Sequence, residues 1–183
     1  LYHVAEDFSQ ANDLAAKQPV KLAELQAIFL QEAIRNNVLP IDDRLLERVN
    51  PDLAGRPRLV EGNTQVLFGG MGHLSENCVL SIKNKSHSIT AEIVVPEKGA
   101  EGVIIAQGAN IGGWSLYAKG GKLKYCYNWG GFKHFMVEAT TPIPAGDHQV
   151  RMEFAYAGGG MGKGGKVTLY TDGKKVGEGR MTI

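Results

Sequence analysis

The 183-residue sequence has almost no net charge: twenty Lys and Arg against nineteen Asp and Glu leave +1 at pH 7. That balance gives no electrostatic footprint for nucleic acid or an anionic membrane, so neither is an expected partner. There is no transmembrane run and no signal peptide. The chain opens on Leu1-Tyr2-His3-Val4 without an initiator Met, and so reads as a piece of something longer whose targeting information lies elsewhere. Cysteine is scarce. Cys78 and Cys126 form neither a CxxC pair nor a disulfide framework; two buried free thiols in strands is the simpler reading, and spacing leaves a single bridge open. With 43% hydrophobic and 21% charged residues, the composition excludes a disordered chain and suits one substantial core.

What the sequence has in excess is glycine. Its 24 glycines fall after residue 54, the distribution expected of tight turns between short strands. Gly102–Gly108, Gly112–Tyr117 and Leu123–Trp129 organise the chain as three successive strands. The first, Gly-Val-Ile-Ile-Ala-Gln-Gly, is a continuous apolar run expected to be buried on both faces. In the second, Trp114, Leu116 and Ala118 share one parity; in the third, Leu123, Tyr125, Tyr127 and Trp129 do. Lys119-Gly120-Gly121-Lys122 is a hairpin signal between them.

The first 62 residues differ in kind. A short strand opens them, then a polar turn, then an amphipathic helix over 19–36 that starts at Pro19 and places Leu22, Leu25, Ile28, Phe29 and Ala33 on one stripe. Asn36-Asn37 ends it. Residues 42–63 carry charges, Pro51 and Pro57, and no sustained period, so they read as an extended linker. The expected division is therefore 1–62, and 63–183 as a β domain. Strands are expected at 64–68, 77–83, 86–95, 133–139, 148–156, 166–170 and 175–181 besides the three above, with turns at Gly69-Gly70, Pro144–Asp147 and Asp172-Gly173. About ten strands without helices mean a mainly β fold: an antiparallel two-sheet jelly-roll sandwich.

Chemical motifs are sparse. Gly160–Lys166 has GxxxxGK spacing, but Val167 replaces the hydroxyl residue and a strand follows, so a hairpin loop is the reading. The five histidines show no ligating or triad spacing, and Glu92, Glu138 and Glu153 stand alone on their strands, without the paired carboxylates of glycoside hydrolysis. Asp42-Asp43 could hold a cation only with partners that spacing does not supply. The aromatic set is the one live candidate. Tyr117, Tyr125, Tyr127 and Trp129, near Trp114, would stack on sugar or aryl groups if their sheet face were open, and would be ordinary core residues otherwise.

Two resemblances add to this. Residues 102–108, 112–117, 144–151 (Pro-Ala-Gly-Asp-His-Gln-Val-Arg) and 168–174 (Thr-Leu-Tyr-Thr-Asp-Gly-Lys) resemble, in order and spacing, the concanavalin-like and laminin-G-like sandwiches. Leu1-Tyr2-His3-Val4, Glu6-Asp7, Asn12-Asp13-Leu14-Ala15, Pro19 and Val38-Leu39-Pro40 are similar to the C-terminal subdomain of the sulfatase family, with His3 in a usually acidic position and Phe8 where proline is common. Together they resemble the C-terminal end of a large bacterial arylsulfatase. The resemblance implies a parent that hydrolyses sulfate esters with a formylglycine and a divalent cation such as calcium, in a periplasmic or secreted setting. It implies no catalysis by this chain: neither cysteine nor any serine begins the Cys/Ser-x-Pro-x-Arg motif. Two functions follow as expectations, a non-catalytic structural and interaction module, or a lectin-like module for carbohydrate or sulfated ligands. The expected partners are the parent's catalytic domain, a second copy, or a glycan.

Overall fold

The computed structural model describes residues 1–41, 43–44, 51–55 and 59–182. Asp42 of the Asp42-Asp43 pair, and residues 45–50 and 56–58 of the expected linker, lie outside the described residues. The chain divides into two compact units, Leu1–Ala54 and Gly55–Ile183, taken separately below.

In the first unit the expected opening strand does not form. Residues 4–6 turn instead, with the Glu6 and Asp7 amides donating to the His3 carbonyl at 2.9 and 2.8 Å. The Asp7 carboxylate then accepts from the Asn12 and Ala11 amides at 2.7 and 3.1 Å, and these two bonds hold its pKa below the ordinary carboxylate value. Helix α1 runs Pro19–Arg35, with proline in its first turn as expected. It closes in a Schellman motif. Asn37 adopts φ +54°, the Val38 amide donates to Ala33 O at 2.9 Å, and the Asn37 amide donates to Ile34 O at 3.3 Å. Of α1 only Ala33 is buried, while Leu25, Ile28, Phe29, Leu30 and Ile34 are exposed. A short helix α2, Pro51–Ala54, ends the unit.

The second unit begins with an irregular lead-in where strands were expected at 64–68 and 77–83. Neither forms. The reason is the Gln65 side chain: its amide donates to Cys78 O at 2.9 Å and accepts from the Leu80 amide at 3.0 Å. One side chain thus satisfies both backbone groups that a neighbouring strand would have paired. Cys78 lies in a 3-10 turn, Glu76–Cys78, rather than in a strand, and both cysteines are free and half-buried.

Eight strands follow: β1 (His87–Val95), β2 (Gly102–Ala109), β3 (Gly112–Lys119), β4 (Lys122–Trp129), β5 (Lys133–Glu138), β6 (Gly146–Tyr156), β7 (Gly165–Thr171) and β8 (Lys174–Met181). They form two antiparallel four-stranded sheets, ordered β1-β6-β7-β8 and β2-β3-β4-β5. The architecture is a β-sandwich. The chain changes sheet only twice, after β1 and after β5, and the finer expectation of a jelly roll is not confirmed by that order.

Two-residue turns set the registers. Gly120-Gly121 (φ +62° and +75°) joins β3 to β4, and Asp172-Gly173 (φ +49° and +74°) joins β7 to β8. Both have the double positive φ of a type I′ turn, whose twist matches that of the flanking strands. Alternation then puts Leu116, Leu123, Tyr125 and Val137 of one sheet against Val150, Met152, Val167 and Leu169 of the other, all buried. The β5 edge comes down on β8 at two glycines. A Cβ on Gly177 would lie 2.7 Å from Glu138 O, and one on Gly179 would lie 2.7 Å from Val137 Cγ2. The Thr140 amide donates across this seam to Val176 O at 2.7 Å.

Strand β2 corrects the reading of its apolar run. It is an edge strand with Val103 exposed, not a strand buried on both faces. A bulge between Val103 and Ile105 lets the consecutive residues Ile104 and Ile105 both pack against the core. A run without alternation here marks a bulge.

Candidate functional site

The four aromatic residues singled out by the sequence do not share one surface. Tyr125 is 2% exposed, packed in the core with its ring stacked on Trp114 at 6.4 Å and 22°. Burial pushes its phenol well above the ordinary value. Tyr127 lies opposite Trp114 in the β3–β4 register, packs on Phe135 with ring centroids 6.4 Å apart, and is likewise pushed up by burial. Tyr117 has the other parity, opposite Lys124, on the outer face of the sheet. Its phenol is raised first by burial and then by Cys126, itself raised by burial. Trp129 is the exposed member of the four, at 43% exposure, while Tyr117 and Tyr127 are half-buried. Three of the residues therefore divide between core and outer face, and one belongs to a loop end.

That loop end is built with care by the sequence. Asn128, the penultimate residue of β4, donates its side-chain amide to Ala109 O (3.2 Å) and Asn110 O (3.0 Å) in the β2–β3 loop. Its oxygen accepts from the Gly131 amide at 2.9 Å in the β4–β5 loop. One side chain thus ties two neighbouring loops. Glycine is obligatory where they cross. Gly131 has φ +76° and a Cβ there would sit 3.0 Å from Asn110 O, while a Cβ on Gly130 would sit 2.8 Å from the Phe132 ring. The Phe132 amide donates to Trp129 O at 3.0 Å, and the two rings meet at 6.1 Å and 59°. The result is a braced tip carrying Trp129, Phe132 (86% exposed) and Ile111 (87% exposed). Of these, the sequence reading had singled out only Trp129. The signal that could have found Phe132 and Ile111 is their position next to turn glycines, where large apolar residues have no core to fill.

The glycine run of residues 158–165 forms the β6–β7 loop and leads into a strand, as expected, not into a helix. It is pinned rather than free: Asn84 Oδ1 accepts from the Gly162 amide at 3.1 Å, and the Tyr156 hydroxyl bonds to Gly160 O and accepts from the Lys163 amide at 3.3 Å.

Four carboxylates on the sandwich strands, Glu92, Glu138, Glu153 and Glu178, are partnered. Glu138 takes Lys124 (2.7 Å) and Lys122 (3.3 Å), which hold its pKa low. Glu153 pairs with Arg151 and accepts from the Tyr170 hydroxyl at 2.9 Å. Glu178 sits between Lys166 and Lys175, 2.7 Å from each, and is driven down to about 2. Glu92 accepts from Gln149 Nε2 at 2.8 Å. A general acid needs a carboxyl raised toward neutrality, and the lysines beside Glu138 and Glu178 push those two the other way.

An open depression of about 500 Å3 lies beside Glu92, Val94, Asp147, His148, Gln149 and Asp172. In it His148 Nδ1 lies 2.7 Å from Asp172 Oδ2, and the Asp172 carboxylate also accepts from the Gln149 amide at 3.0 Å. The pair raises the imidazole pKa, chiefly through the Asp172 bond, and lowers the carboxyl, chiefly through the Gln149 amide. Its further partners are the Gln149 amide of β6 and, at 3.4 Å from His148 Nε2, the Ala145 carbonyl before β6, so the pair anchors the Asp172-Gly173 turn to β6. Among the described residues no group of three or more His, Cys, Asp and Glu could hold a metal ion, and no helix is long and apolar enough to cross a membrane. No family model, curated protein or solved structure matches this chain.

Proposed function

We propose that this chain is a non-catalytic interaction module, the C-terminal part of an arylsulfatase-type protein whose formylglycine and cation belong to a separate catalytic domain. One observation carries the reading. Helix α1 exposes Leu25, Ile28, Phe29, Leu30 and Ile34 and buries only Ala33. An isolated helix of 17 residues is marginal in water, so an apolar stripe of this kind calls for a covering surface. The sulfatase resemblance of residues 1–40 supplies the occupant, the parent's catalytic domain.

The lectin-like alternative has less support, because Tyr125 of its aromatic set is buried in the core and Tyr117 has the opposite parity from Tyr125 and Tyr127. The test begins with the open reading frame that contains this sequence. The domain it encodes upstream, produced separately, should carry a Cys/Ser-x-Pro-x-Arg motif and hydrolyse 4-nitrophenyl sulfate. It should bind this chain, and Ile28→Asp with Phe29→Asp should abolish binding. The chain alone should leave the ester untouched with or without calcium. A frame without that motif, or turnover by this chain that survives repurification, overturns the proposal.

A further inference from the structure

The short connections decide which loops share an end of the sandwich. Residues 96–101 join β1 to β2 and residues 139–145 join β5 to β6, so both lie at the end that holds the Gly120-Gly121 and Asp172-Gly173 turns. The loops 110–111, 130–132 and 157–164 therefore emerge at the opposite end. Three of them carry exposed apolar side chains: Ile111, Phe132 beside Trp129, and Met161 at 37% exposure. Exposure above four-fifths at Ile111 and Phe132 means that these side chains project from the surface.

Charge is partitioned along the same axis. Residues 105–118, 128–137 and 154–171, which hold the three loops and the strand ends beside them, contain no Asp or Glu. Acidic residues gather at the other end, at Glu97, Glu101, Glu138, Asp147 and Asp172. The apolar end carries Lys133 and Lys163, neither of which is in an ion pair among the described residues; Lys133 Nζ instead lies 4.5 Å from the Phe135 ring centroid. These three loops and the strand ends beside them thus carry no carboxylate around projecting apolar side chains; the lead-in that Asn84 ties to Gly162 brings one acidic residue near this end, Glu76, already paired with Lys83.

We propose that this loop end docks on anionic lipid surfaces. Ile111, Phe132 and Met161 enter the boundary between headgroups and acyl chains, Trp129 sits at headgroup level, and Lys133 and Lys163 face the lipid phosphates. The physical case has three parts. Projecting apolar tips suit a deformable interface better than a concave pocket does, and aromatic residues favour the headgroup layer. Exposed lysines without acidic neighbours add attraction to an anionic leaflet. The bracing by Asn128 and the loop glycines presents the tip without an ordering cost on binding. A sugar site at the same rings would need free polar groups beside them, and the Asn128 amide is already committed to the loops.

The experiment uses the full chain with two kinds of vesicle, one of phosphatidylcholine alone and one of equal parts phosphatidylcholine and phosphatidylglycerol, read by co-sedimentation and tryptophan emission. The chain is expected to sediment with the anionic vesicles, with a blue shift from Trp129, and to bind neutral vesicles roughly tenfold or more weakly. Ile111→Ser with Phe132→Ser should weaken anionic-vesicle binding roughly tenfold or more without lowering the melting temperature. Met161→Ser serves as a second, milder variant. Lys133→Gln with Lys163→Gln should remove the anionic preference while keeping residual binding. No sedimentation with either vesicle overturns the proposal. So does binding that ignores the loop variants, or loop-dependent glycan binding or self-association without vesicle binding.

Discussion

Replacing Trp114 by Ala tests whether the aromatic cluster of β3 and β4 holds the sandwich together rather than binding a ligand. The indole packs against the core, stacks on Tyr125 at 6.4 Å, and donates to Gln107 Oε1 at 3.1 Å. Truncating a fully buried Trp costs about 3–5 kcal/mol. Trp114 is half-buried, which lowers the packing share to about 2–3 kcal/mol by area. The ring pair adds about 0.5–1.5 kcal/mol, and the Gln107 bond about 0.5–1.5 kcal/mol because its partly buried oxygen loses its donor. Overlap between these contributions is large, and about 3–4 kcal/mol is the expected total. At roughly 3–6 °C per kcal/mol for a unit of this size, melting should fall by roughly 10–20 °C. Far-UV circular dichroism follows it, with Trp129 left as the single exposed fluorophore. Trp114→Phe keeps most of the area and the ring pair but drops the N–H, and should cost only about 1 kcal/mol. If Trp114→Ala melts within two degrees of the parent, the indole is not part of the core and the face assignment of β3 fails.

Three further outcomes are expected. The His148–Asp172 pair makes stability depend on pH. The raised imidazole pKa gives a contribution complete below the unfolded value of about 6.5 and lost as pH rises through the folded value; the lowered carboxyl gives one present above about 4 and lost in acid. Asp172→Asn keeps an acceptor for the Gln149 amide, so its melting deficit should be largest near pH 5–6 and shrink by pH 8.5; a deficit independent of pH would show that the pair is not ionic. His87, its pKa pushed down by burial, carries the opposite sign, losing stability as pH falls below about 6.5, and His87→Phe should flatten that acid limb in thermal melts across pH 4–7. Gly177→Ala would press a Cβ against the backbone carbonyl of Glu138, so urea unfolding should show a loss of about 1–3 kcal/mol; an unchanged midpoint would mean that β5 and β8 are not in close contact.

Local chemistry was enough for the helix, the turns and most strands. Pro19 and Asn36-Asn37 bound α1 because proline fits a first turn and asparagine tolerates φ > 0 at the close. Gly120-Gly121 and Asp172-Gly173 require the type I′ geometry whatever surrounds them, and period-two alternation from Trp114 to Tyr127 shows which residues share a face but not that this face is the inward one. Tertiary structure decided whatever depends on a partner distant in sequence. Gln65 reaches Cys78 and Leu80 across more than ten residues, and this dissolved two strands that propensity favoured. The β2 run reads as doubly buried until the sheet order makes it an edge and a bulge turns Ile104 and Ile105 inward together. Parity grouped Trp129 with Tyr125 and Tyr127, but parity says nothing about where a sheet ends, and Trp129 lies at the rim. Net charge is a sum over the chain and carries no position. Only the packing of the two sheets face to face, with their loops at shared ends, gathers Ile111, Phe132 and Met161 at one pole and Glu97, Glu138 and Asp172 at the other.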